Sequence, residues 1–122
     1  MRYRAGAILV KFVDVDGKHI MQRQIKLRHF RNRDGNQISD YGGHSILFDL
    51  DEGIVVTSTC HPTDKFSRKA GTEVCFIKWI EIMKNDPFLV DRLGDHPMIR
   101  EVTSEMDQYT VVLQTATQAV QQ

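Results

Sequence analysis

Long apolar runs are missing from this 122-residue chain. The longest span four or five residues, such as Ala7–Val10, far short of the ~20 that a membrane-crossing helix requires. The opening Met1-Arg2-Tyr3-Arg4 leads into an alternating pattern rather than a signal peptide. Cysteine is scarce: Cys60 and Cys75 are the only two, too few for a disulfide scaffold, and they read as reduced thiols of a cytoplasmic protein. Net charge is also absent, with 16 Lys plus Arg balancing 16 Asp plus Glu. That balance excludes a chain that coats polyanions along its whole length.

Catalytic and metal signatures are equally thin. The five histidines, at 19, 29, 44, 61 and 96, lack metal-ligand spacing, and neither cysteine belongs to a Cys-x-x-Cys pair. No Gly-x-Ser-x-Gly elbow is present. The carboxylates of Asp49-Leu50-Asp51-Glu52 fall at a hairpin tip, where turn chemistry accounts for them. The expectation is a protein with no catalytic residue, cofactor or metal, and therefore not an enzyme.

What is present is a charge split. Residues 1–48 hold nine basic side chains against four acidic, and residues 49–122 hold seven against twelve. Arg23, Lys26, Arg28, Arg31 and Arg33 fall within eleven positions. Arginine presents a planar fork that pairs with phosphate oxygens, so Arg23, Arg28, Arg31 and Arg33 are candidates for an anionic ligand. The plainer account is a solvated strand whose charges discourage aggregation.

Alternation predicts strands over Tyr3–Val15 and about Lys18–Phe30, joined through Asp14-Val15-Asp16-Gly17. Met21, Ile25 and Leu27 are the expected inward set of the second, with Gln22, Gln24, Lys26 and Arg28 outward. Residues 31–43 read as a long irregular loop carrying Tyr41, which can stack on a base or pack on its own loop. His44–Leu50 and Ile54–Cys60 read as a second hairpin.

The period then changes. Thr63 or Asp64 is positioned to cap a helix with Phe66, Ala70, Val74, Ile77 and Ile80 inward, and Cys75, Trp79 and Ile82 widen that stripe. Gly71 inside it costs about 1 kcal/mol relative to alanine, so either the helix begins later or something approaches the backbone closely there. In the last segment Ile99, Val102, Met106, Tyr109, Leu113, Ala116 and Val120 recur at gaps of three and four. They predict a helix from about Pro97 to Val120, with an edge strand at 108–114 as the alternative. The expected fold is a single α+β domain over 1–122: an N-terminal antiparallel sheet of about four strands in 1–60, then two C-terminal helices in 64–121.

The strand-to-helix junction supplies a second anionic contact. Lys65, Arg68 and Lys69 surround a helix start, where backbone N–H groups favour anions, and Phe66 offers an aromatic face. An N-cap, a core anchor and solvated bases explain the same residues without a ligand. The pattern Cys-x-x-x-Asp-x-Phe-x-Arg-Lys-x-Gly, from Cys60 to Gly71, resembles one in small bacteriophage proteins. Sheet first and helices second is similar to the phage anti-defence sponge proteins that counter Thoeris immunity by sequestering a cyclic ADP-ribose signal. The resemblance implies a non-catalytic, oligomeric binder of a small anionic nucleotide, acting in the cytoplasm of a bacterial host cell. Two other classes stand beside it: a nucleic-acid-binding accessory protein using the same arginines, and a protein–protein inhibitor of a host defence enzyme, such as an anti-CRISPR. A 122-residue domain offers shallow concavity, so a site shared within a homo-oligomer is expected.

Overall fold

The structure, a computed structural model, describes residues 6–120. It is mostly β, with 50% strand and 23% helix. The strands are β1 (Ile8–Val13), β2 (His19–Phe30), β3 (Arg33–Asp34), β4 (Gln37–Ile38), β5 (Tyr41–Asp49), β6 (Val55–Lys65), β7 (Met98–Glu105) and β8 (Gln108–Gln114). The helices are α1 (Arg68–Met83), α2 (Pro87–Leu93) and α3 (Ala116–Val120). Six strands form one mixed sheet in the order β6-β5-β2-β1-β8-β7, and β3 with β4 forms a two-stranded ribbon. The α+β layout of a four-stranded sheet followed by two helices is therefore corrected. The expected start of the first strand at Tyr3 lies outside the described residues.

The chain divides into two compact units. One takes the residues up to Ile25 together with Ile80 onward, and the other is Lys26–Trp79. In the first, Asp14 builds the β1–β2 turn by accepting at Oδ1 from the N–H groups of Asp16 and Lys18, both at 2.9 Å. β1 lies antiparallel to β2 on one side and parallel to β8 on the other. Val10, Phe12, Ile25, Val111 and Leu113 are fully buried here. Ile20 and Gln24 are buried as well, so the row on β2 expected to face outward is covered over this part of its length.

The predicted helix over Pro97–Val120 is instead the β7–β8 hairpin followed by the short α3. The physical reason is the second main-chain edge of β1. With β2 satisfying one edge, the other edge of a strand buried on both faces needs a hydrogen-bonding partner. The run Tyr109-Thr110-Val111-Val112-Leu113 supplies it, pairing from Leu9↔Gln108 to Val13↔Val112. Strand 108–114 is also not at an edge, because β7 pairs along its far side.

In the second unit β5 and β6 pair antiparallel around a turn clamped by Asp49. Its Oδ1 accepts from the N–H groups of Asp51 and Glu52 at 3.0 Å each, and its Oδ2 accepts from Trp79 Nε1 at 3.0 Å. Trp79 thus ties α1 to the end of β5. Cys75, one turn earlier on α1, makes a second contact with β5, its thiol donating to the Ser45 carbonyl at 3.4 Å. These anchors decide which face of α1 is inward. Cys75, Phe76, Trp79, Ile80 and Met83 are buried, whereas Val74 and Ile77, expected in the core, are 42% and 56% exposed.

Candidate functional site

The junction between β6 and α1 contains the most chemistry in the Lys26–Trp79 unit. Gly43 pairs with Cys60 and Tyr41 with Lys65, so one residue of β5 faces four of β6. Residues 61–64 loop out around the Cys60 thiol, whose sulfur lies 3.5 Å from the Asp64 carbonyl and 3.6 Å from those of His61 and Lys65. His61 Nδ1 accepts from the Thr63 N–H at 3.2 Å, which stiffens the excursion. The opposing strand must be glycine: a Cβ at Gly42, at φ +75°, would meet the Asn32 side chain, and one at Gly43 would lie 2.5 Å from the Phe30 carbonyl oxygen.

The chain then turns into α1. Phe66 N–H donates to the Asp40 carbonyl at 2.8 Å. Ser67 caps the helix, its hydroxyl accepting from Ala70 N–H at 3.1 Å, so the cap is neither Thr63 nor Asp64. Gly71 lets the first turn of α1 close onto β5, because a Cβ there would collide with the Ser45 side chain. Ser45 Oγ is 2.7 Å from His29 Nδ1, and Thr72 Oγ1 is 3.5 Å from His29 Nε2. Burial first, and then the Arg68 guanidinium, hold the His29 imidazole below its usual pKa. Burial likewise raises the Cys75 thiol, and Cys60 and Cys75 are both free thiols.

These elements enclose an open cleft of about 380 Å³, whose lining includes Ser45, Ser58, Cys60, Lys65, Phe66 and Ser67. The volume is at the small end for ligand sites. Hydroxyls, one ammonium and a helix N-terminus suit a phosphate, and Asp64, also in the lining, suits a sugar hydroxyl. A larger cleft of about 660 Å³ lies in the other unit, along Gly6–Ile8 and Glu105–Gln108. Its charged groups are the carboxylates Glu105 and Asp107, which repel an anion. Among the described residues no three His, Cys, Asp or Glu side chains gather to hold a metal ion. No helix there is long and apolar enough to cross a membrane.

The arginines do not converge. Arg23 is an internal ion-pair partner of Asp86, at 3.4 Å with 17% of its side chain exposed. Arg28 alternates with His29 and so lies on the sheet face opposite Ser45. Arg31 is engaged elsewhere: its guanidinium stands 5.5 Å over the Phe66 ring and 3.9 Å from the Asp40 carboxylate. Arg33 sits on the β3–β4 ribbon, so the expected irregular loop contains a small hairpin. Tyr41 is exposed and cross-strand from Lys65. Lys65 and Phe66 line the cleft, and Arg68 and Lys69 are exposed on the first turn of α1. Ser45, Ser58 and Ser67 were not legible as site residues. Only Ser67 carried a signal, three residues before Ala70 at the start of a helical stripe. The chain matches no protein-family model, no curated protein and no solved structure.

Proposed function

We propose that the β6–α1 cleft captures a small phosphate-bearing ligand of the cyclic-nucleotide type and holds it without turnover, in the cytoplasm of a bacterial host. One observation carries the reading: Lys65 and the Ser67-capped first turn of α1, with Arg68 and Lys69 on it, border a cleft lined by hydroxyls. A helix start attracts anions through its N–H groups and dipole, and adjacent cations strengthen that field. The resemblance of Cys60–Gly71 to the sponge proteins is what favours a cyclic signal nucleotide among phosphate-bearing ligands. Phe66 contributes an apolar wall, and its ring is already engaged by Arg31 on one side and edge-on to His29, with centroids 6.0 Å apart.

The test is capture and release. The purified protein is incubated with nucleotide extracts of cells with an activated defence enzyme, washed and heat-denatured, and the supernatant is analysed by mass spectrometry. An intact cyclic nucleotide is expected. The double reversal Lys65→Glu with Arg68→Glu should abolish recovery, and reversal of Arg23, whose partner is Asp86, tests stability instead. A chemically altered product, or capture that survives the double reversal, overturns the assignment.

A further inference from the structure

Over Lys26–Phe30 of β2 and the paired stretches of β5 and β6, the sheet face opposite Ser45 has a different chemistry. Phe30 is 46% exposed, and its ring stacks on His44 with centroids 5.1 Å apart and planes at 25°. The contacts Phe30–His44 and His29–Ser45 place β2 antiparallel to β5 here, so alternation sets Arg28 beside Ile46 and Lys26 beside Phe48. On the other side of β5, His44 pairs with Thr59, Ile46 with Thr57 and Phe48 with Val55. Three cross-strand rows result: an aromatic row, an arginine row and a lysine–phenylalanine row. Arg28, His44, Val55, Thr57 and Thr59 are exposed, and Lys26, Ile46 and Phe48 are half-buried. No position of these rows holds a carboxylate.

We infer that this face is a binding platform for single-stranded nucleic acid. A sheet surface presents side chains in a fixed grid, about 4.8 Å between strands and 6.8 Å along them. Bases stack on an exposed aromatic in such a grid while neighbouring cations meet the backbone phosphates. The Phe30–His44 pair is the stacking element, and Arg28 and Lys26 lie along a path from it. The lack of any acid on the rows is the charge complement that a polyanion requires. An acidic protein partner would meet the same cations but has no use for the stacked aromatic pair. Single strands are favoured over duplex because a paired base cannot present its face to Phe30.

Phe30, His44, Arg28 and Lys26 are absent from the lining of the β6–α1 cleft, which shares only Thr59 with these rows, so the two sites can fail separately. Fluorescence anisotropy with labelled twelve-nucleotide oligo-dT and oligo-U, titrated from low to physiological salt, is the measurement. Binding is expected to fall log-linearly with salt. Phe30→Ala should weaken it by about tenfold or more, and Arg28→Glu should do so with a shallower salt slope. Phe30→Leu, which keeps an apolar side chain, should lose affinity while retaining the parental melting temperature. The cleft reversal at Lys65 and Arg68 should leave binding intact. No binding at low salt, equal affinity for duplex, insensitivity to Phe30→Leu, or loss on the cleft reversal would each overturn the platform.

Discussion

Asp49 shows at single-residue scale how the Lys26–Trp79 unit is held. It is 2% exposed and accepts from two turn N–H groups and the Trp79 indole. Removing the acceptor strands the buried Trp79 indole and frees the two part-buried turn N–H groups, at about 1–3 kcal/mol for each group left unsatisfied. Asp49→Ala should therefore lower unfolding stability by roughly 2 kcal/mol or more in urea melts. His29 gives the pH dependence. Its folded pKa lies below 6.5, so near pH 7 and above both states are largely neutral and the stability is fully present. As pH falls below the unfolded value the unfolded chain binds protons first, and stability declines until the folded pKa is reached. Thermal melts from pH 8 to pH 5 should show that decline, and His29→Gln should flatten it.

At the scale of elements the informative case is the segment after Pro97. Seven apolar residues at helical spacing lie there, yet Val111 and Leu113 are buried in alternation within β8 and the chain reverses at Met106-Asp107. Met106 takes φ 53°, a conformation rarely adopted by a side chain of that kind, and is 98% exposed. A periodic stripe reports spacing along one segment only. It does not register that β1 has an unpaired edge in a covered position, and that demand outweighs the helical stripe. Val111→Ala separates the two outcomes: alanine strengthens a helix, whereas in a buried strand it removes packing worth about 2 kcal/mol. A lowered melting temperature is expected. In α1 the same lesson is milder. The helix was legible, but its inward face was set by Trp79 on Asp49 and Cys75 on the Ser45 carbonyl, contacts with a strand some thirty residues away.

For the whole molecule, a formal charge of zero and a pI near 7.0 predict minimal electrostatic repulsion between copies at neutral pH. Solubility in a polyethylene glycol series should pass through its minimum near pH 7 and rise toward pH 5 and pH 9. A monotonic curve would show that local patches outweigh the net sum. The same cancellation bears on binding. The cleft should hold a compact ligand with weak salt dependence, and the sheet platform a polymer with steep dependence, because only the polymer releases many counterions.

The sequence by itself determined the two N-terminal hairpins, the helix after Phe66 and the segregation of charge. Each depends on residues near one another in the chain: alternation, turn chemistry, a helical stripe. The tertiary structure alone decided that the last third pairs as strands, because β1 required a partner. It also decided that the arginine cluster does not form one site. Arg23, Arg28 and Arg31 are close in sequence but lie on a strand that alternates faces and then turns. One pairs with Asp86, one stands on the open sheet face and one covers Phe66. Proximity along a strand scatters side chains, whereas the β6–α1 junction brings Lys65, Ser67 and Ser45 to one cleft from two separate strands and a helix start.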